Sequence, residues 1–460
     1  MISFPSGVRV LIYRILAQIR ILSFLLLIRA AFAVDSPSRQ SEVLEPYVVN
    51  RWVGIMLTNH PGLRSFEATA RSSRLQVDAV RYLADPKVLL GGAVYSEKGM
   101  NPSEEGNLIY GIEQPLPIMG KEKASRMVAN AEAEREIARV EVQRQGLKRD
   151  LTIALFRAAL AHKTVDLAMD DLVWVADLAQ LAANRLVTGN SSGPEALRLQ
   201  MEQSRRSVEL ERLRAQESQF LSTVNRLLGS DPDNSLPAFL LPGIAQPLSG
   251  SKRWVELALA SEPRLKALEK ERLAAQAILE STRRSKRPDL AFGVDGRQFA
   301  GSGEFRQGTL SLSINFPIWN RSKFDKDIAR DRERLRSVEL NQKDQILEVR
   351  EELHHIKLRL DTARREALLY QDEVLPRATA TYQAFLAQWS SGRGDLRDVL
   401  ESRRSIVETQ LKMAEAITEQ WSALAELVLC CGLEDLSTLI DPAPSNTPTS
   451  FEFQPRNSGQ

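Results

Sequence analysis

The two halves of this chain repeat one pattern, and that duplication constrains the fold more than any other feature. The first copy opens near Asn59-His60-Pro61-Gly62-Leu63-Arg64 and the second near Ser261-Glu262-Pro263-Arg264-Leu265-Lys266. Each opening starts a helical stretch that stops at a second proline. Pro61 to Pro86 and Pro263 to Pro288 both span 25 positions. The stops are alike, Asp85-Pro86-Lys87-Val88 and Arg287-Pro288-Asp289-Leu290. A strand pair follows each: 88–95 with 108–114, then 290–297 with 309–316. In the last strand Leu310, Leu312, Ile314 and Phe316 fall on one face, and Thr309, Ser311, Ser313 and Asn315 on the other. Such period-2 alternation marks a strand with one apolar and one polar side. The first copy is a weaker version, Leu108, Tyr110 and Ile112 against Ile109, Gly111 and Glu113. The loops 96–106 and 298–307 are rich in Gly, Ser and charge, as hairpin loops are. Gly301-Ser302-Gly303 lies in the second loop and lacks the strand-to-helix setting of a phosphate loop.

Each strand pair runs into a similar phrase, Pro115-Leu116-Pro117-Ile118-Met119-Gly120-Lys121 and Phe316-Pro317-Ile318-Trp319-Asn320-Arg321. Proline cannot donate to the ladder, so it ends the strand and a helix begins. Residues 121–186 hold no proline and a single glycine, Gly146, which predicts a rod of roughly 100 Å. A second rod runs over 321–389, with Pro376 expected to kink or divide it. Each rod breaks, at 188–194 and 390–394, and a second helix follows, 194–228 and 395–429. Helix, tight turn and helix make an antiparallel hairpin. The first repeat thus covers 34–230 and the second 252–435, joined by a Pro/Gly-rich linker at 231–251. The tail 436–460 is rich in Pro, Ser and Asn and is expected to be disordered.

Charge excludes one class of partner. Lys and Arg number 61 against 59 Asp and Glu, a net +2, so no nucleic-acid footprint is expected. Charged residues are 26% and aromatics 6% of the chain, which suits long helices better than a thick core. The two cysteines, Cys430 and Cys431, are adjacent and form no disulfide framework. His60, His162, His354 and His355 show no ligand spacing. No catalytic residue, metal or cofactor is expected, and the chain is read as a non-enzyme.

The N-terminus has the parts of a signal peptide over residues 1–33. Arg9, Arg14 and Arg20 form a basic leader, Ile21 to Ile28 is an apolar run, and Ala31-Phe32-Ala33 offers a cleavage site before Val34. No later stretch is apolar enough for a membrane helix, so membrane entry would be through strands. Four strands cannot close a lumen, and an open edge is not tolerated in lipid. The chain would have to recruit strands from identical copies; three copies, a homotrimer, would supply twelve, an even number in the range of outer-membrane barrels. The cluster Arg283, Arg284, Lys286, Arg287 precedes a strand; it suits anionic headgroups or a solvated basic turn equally.

The duplicated pattern, the Asn59-His60-Pro61 opening, the phrase Asn315-Phe316-Pro317-Ile318 and the run from Gly392 to Arg403 together resemble the TolC-like outer-membrane efflux proteins, over about residues 45–435. The resemblance implies a mainly α fold with a small β part. It implies two repeats of helix, β-hairpin, long helix and helix, with four strands per chain in a trimeric 12-stranded β-barrel continued by an α-helical barrel. It further implies a passive duct in the outer membrane and its lipid, gated at the periplasmic tip, and docked to a periplasmic adaptor and an inner-membrane pump. The family carries two acidic residues three apart at that tip, here Asp398 and Glu401. Positions i and i+3 share a helix face, and six carboxylates around an opening attract cations. Arg393 and Arg397 would hold the closed tip through ion pairs. The turns containing Gly189, Gly193, Gly392 and Gly394 would contact the adaptor. The first copy has Glu195-Ala196-Leu197-Arg198 at the corresponding place, so only the second half would line the gate. The alternative is a secreted or periplasmic coiled-coil scaffold without a pore, which accounts for the rods but not for the paired strands.

Overall fold

The computed structural model describes residues 41–80, 83–93, 107–187, 193–247, 251–299, 303–317, 321–433 and 436. The leader, the loop 96–106, Gly189 and the tail apart from Leu436 lie outside the described residues. Chain order is β1 (Ser41–Val43), α1 (Pro46–Asn59), α2 (Pro61–Ala79), β2 (Lys87–Ala93), β3 (Asn107–Leu116), α3 (Lys121–Val187), α4 (Gly193–Leu228) and β4 (Ala238–Leu240). The second half gives α5 (Ser251–Ser261), α6 (Pro263–Arg284), β5 (Asp289–Phe299), β6 (Phe305–Asn315), α7 (Arg321–Leu369), α8 (Leu375–Ser390) and α9 (Leu396–Cys430).

The repeat is visible in how each copy starts its helix after a proline at the first helical positions, where the missing N–H costs nothing. In the first copy His60 caps α2, its Nδ1 accepting from the Leu63 N–H at 3.2 Å. Burial holds this imidazole below its usual pKa, and Arg226 adds to the effect. In the second copy Glu262 does the same work for α6, accepting from the Arg264 and Leu265 N–H groups. Arg264 then reaches Glu352 on α7, so the cap also ties the second short helix to its rod.

α3 is unbroken for 67 residues, roughly 100 Å. α2 and α6 line the half of it next to the strands; α4 and α9 line the other half. The main core sits at the waist where these shorter helices end. Leu151, Leu155 and Phe156 of α3 meet Met56, Leu63, Val224, Leu228, Ile356, Trp421 and Leu424 there. Phe156 stacks on Trp421 with centroids 5.6 Å apart.

The second rod is divided just before Pro376. Residues Tyr370–Val374 form a π turn, in which the Leu375 N–H donates to the Tyr370 carbonyl. Proline has no N–H and its ring crowds the carbonyl four residues back, so the wider turn absorbs both defects.

The inter-repeat segment, expected as a linker, also carries structure. Its strand β4 pairs in parallel with β1, and Leu236 and Phe239 are buried. The Gln420 side-chain amide accepts from the Ala245 N–H and donates to the Ala245 carbonyl, both at 3.0 Å, and Trp421 donates to the Gly243 carbonyl. Cys430 and Cys431 are free thiols in the buried end of α9, and burial pushes both up to about 12. That matches two small apolar residues in the last helix.

Candidate pore wall and helical tip

The four long strands form one antiparallel sheet in chain order, β2-β3-β5-β6. β3 against β5 joins the two repeats directly. The register puts Leu90, Tyr110 and Gly296 across one face, with Ile112, Val294 and Leu310 on the next row and Gln114, Phe292 and Leu312 on the one after. The opposite face carries Glu113, Gly293 and Ser311, then Gly111, Asp295 and Thr309. One face is therefore mainly apolar and the other mainly small and polar, with Leu89 and Ile109 as apolar exceptions on the second. The apolar face is uncovered: Leu90 is 75% and Leu310 74% exposed. β2 and β6 each have a neighbour on one side only. Pro115 sits inside β3 rather than ending it. β2 has stopped pairing by Lys87–Glu113, so one side of β3 is free there and no N–H is required.

Two glycines let the repeats approach. A Cβ at Gly111 would lie 2.7 Å from the Asp295 Cβ across the β3–β5 seam. Gly296 lies beneath the Tyr110 ring, its Cβ position 3.0 Å from the nearest ring carbon.

At the far end of the rods the α8–α9 turn is set by backbone chemistry. Gly392 has φ +77°, the left-handed conformation that favours glycine. Its N–H donates to the Trp389 carbonyl and the Arg393 N–H to the Gln388 carbonyl, the pattern of a Schellman cap. A Cβ at Gly394 would fall 2.8 Å from the Trp389 backbone nitrogen. Asp395 then caps α9, accepting from the Arg397 N–H at 2.8 Å. Gly392→Ala is expected to cost about 1–2 kcal/mol through left-handed strain. Gly394→Ala should lower the thermal midpoint further, because backbone must move. Circular-dichroism melts that match the parent for both variants would refute this geometry.

Asp398 and Glu401 both lie exposed on the first turns of α9. Glu401 has Arg404 at 3.9 Å as an ion partner. Arg393 and Arg397 are exposed, and within the single chain neither meets a carboxylate among the described residues. Gly193 is the first residue of α4. The structure brings together a different set nearby. Asp171 on α3, 8% exposed, receives Arg206 of α4 at 2.5 Å and Arg403 of α9 at 3.1 Å. Both guanidinium groups lie over the Trp174 ring, at 6.0 and 5.4 Å. Trp174 in turn donates through Nε1 to the Tyr382 hydroxyl of α8 at 2.8 Å. Beneath them Leu178, Leu199, Trp389, Leu396 and Val399 close a second apolar core. One carboxylate and one indole therefore clasp all four helices of the tip. Nothing local in the sequence marks this group, since Asp171 and Arg403 are 232 positions apart.

An uncovered apolar sheet face, open edges and paired rods are features of a membrane duct, and the two halves of the chain match one family model separately. The model for outer membrane efflux proteins aligns with residues 52–230 and again with 254–433. The chain belongs to the outer membrane efflux protein family. It is an outer-membrane channel protein extending into the periplasm, and its family is one of channels. A curated relative is the cobalt-zinc-cadmium resistance protein CzcC of Cupriavidus metallidurans, 21% identical over 67% of this chain and 73% of that protein. Among solved structures, the outer-membrane channel OprN superposes with a TM-score of 0.73 at 16% identity, over 84% of this chain and 89% of that one. The outer membrane protein VceC from Vibrio cholerae gives 0.71 at 15% identity, over 84% and 96%. The mainly α fold with its small sheet is the fold of these channels.

Proposed function

We propose that three copies of this efflux protein close a twelve-stranded barrel and a helical tunnel, making a passive duct from periplasm to exterior that is gated at the α8–α9 tip. One observation carries this reading: a four-stranded sheet with an exposed apolar face, a small polar face and two unpaired edges. In lipid such edges must find partners, and a sister subunit can supply them by setting its β6 edge against the β2 edge of the next copy. The helices repeat the argument. Leu75 of α2 and Leu197, Met201 and Val208 of α4 are exposed on one flank; Leu340, Leu347, Leu358 and Leu369 are exposed on α7. Joining unlike flanks head to tail generates a closed ring.

At the tip, Asp398 and Glu401 of three chains would form acidic rings, and the clasp at Asp171 would hold the α8–α9 hairpin against α3 and α4. Arg393 and Arg397 would then find partners across the threefold axis. The turns at Gly189, Gly193, Gly392 and Gly394 would meet a periplasmic adaptor that couples the duct to an inner-membrane pump. Acidic rings favour cations, and the name of the relative CzcC links that protein to resistance against cobalt, zinc and cadmium.

Planar-bilayer recording of the purified, cross-linked oligomer tests this. A trimer should conduct, and Asp398→Asn with Glu401→Gln should reduce its preference for cations over anions several-fold. A monomer recovered in the soluble periplasmic fraction, with no conductance, would instead support a coiled-coil scaffold.

A further inference from the structure

The junction between sheet and rods concentrates positive charge at the level where the apolar face stops. The apolar rows end at Leu116, Leu290 and Ile314. The three segments that follow or precede them, 121–126, 280–289 and 321–327, contain ten Lys and Arg against five Asp and Glu, in a chain whose net charge is only +2. Cross-links hold these segments at one height. Arg287 Nη1 donates to the Met119 carbonyl at 2.9 Å and Arg284 Nη1 to the Gly120 carbonyl at 3.3 Å. Lys286 reaches Asp325 at 2.5 Å and Lys121 reaches Asp289 at 2.6 Å. With those groups fastening the backbone, five more cations remain on the first turns of α3 and α7, Arg321 among them. Lys123, Arg126, Lys323 and Lys326 are exposed, and none has a carboxylate within ion-pair distance among the described residues.

We infer that this belt is a docking surface for the anionic phospholipid headgroups of the periplasmic leaflet. The inference rests on the barrel reading, which puts the apolar face in the hydrocarbon. The first two turns of a helix rise roughly 10 Å, enough to cross the headgroup layer of one leaflet, about 5–8 Å thick. Basic side chains at that depth gain from negative lipid charge, and long Lys and Arg stems reach along the surface to it. Charge complementarity and continuity with the lipid-facing sheet both point to this occupant. In a trimer the belt would encircle the duct and fix its height in the membrane.

The test uses the full-length detergent-purified oligomer. Heat-stable trimer and bilayer conductance are checked before any lipid is added; their failure overturns the barrel and the belt with it. Native mass spectrometry then compares retained phosphatidylglycerol with phosphatidylcholine. The parent should prefer the anionic lipid by roughly tenfold. The K123Q/R126Q/K323Q/K326Q variant should lose that preference while conducting normally. Raising the salt should erase the preference in the parent, which keeps the test decisive even for a variant that assembles poorly. A conducting trimer that holds both lipids alike, or a preference unchanged by the four substitutions or by salt, overturns the belt.

Discussion

Replacing Asp171 with alanine is expected to open the tip and raise single-channel conductance several-fold. The side chain is almost wholly enclosed, and its two oxygens are shared between Arg206 and Arg403. Removing it leaves two guanidinium groups facing one another over a single indole. Breaking a buried ion pair from one side costs on the order of 3–5 kcal/mol where the remaining charge is uncompensated. Arg403 loses its carboxylate, whereas Arg206 keeps Glu202 at 3.8 Å, which puts the cost at the lower end. That cost falls on the charged contacts that join α9 to α3 and α4 at the tip, so the expected relief is separation of the hairpins there. Arg403→Gln should act in the same direction but less strongly, since Asp171 keeps Arg206. Conductance and thermal stability of Asp171→Ala equal to those of the parent would rule out a clasp.

The second large effect concerns the sheet. Leu310→Arg is expected to abolish recovery of the trimer from the outer membrane. Leu310 lies mid-strand on the apolar face, opposite Val294. A cation at the lipid midplane costs roughly 2–4 kcal/mol per copy, and a trimer bears three. Ser313→Arg, on the same strand but the opposite face, should insert normally and lower conductance by narrowing the lumen. Membrane fractionation with antibody detection separates the two. Loss of Ser313→Arg with normal recovery of Leu310→Arg would mean that the faces are assigned the wrong way round, and equal recovery of both would mean that neither meets lipid.

Much of this architecture could be read from residue order alone. The paired prolines, the alternation from Thr309 to Phe316 and the glycine-containing break at 390–394 each express a local rule of backbone or solvent preference. Period-2 pattern sets which face a strand buries, and that property survives into the full sheet. Pro376 gave notice of a division in the second rod, but only the folded chain shows that a π turn absorbs it. Strands β1 and β4 were not legible, being three residues each with no room for periodicity. The clasp escaped for a different reason. Its members are ordinary charged residues on long helices, where Asp and Arg abound, and only the antiparallel hairpins bring Asp171, Arg206 and Arg403 to one height. Of the tip residues singled out from sequence, Gly392 and Gly394 have a definite backbone requirement, whereas Asp398 and Glu401 stand in solvent in the single chain.

The π turn at Tyr370–Val374 has a mechanical side. α3 has no such interruption over its 67 residues, so only the second rod carries a widened turn. The 16 residues of α8 beyond the turn make a lever arm of about 24 Å. Tilting such an arm by about 5° swings its end through roughly 2 Å. On the gated-duct reading proposed above, a small angular change at one widened turn would be amplified into an aperture change at the far end, and freezing that turn should jam the aperture without touching it.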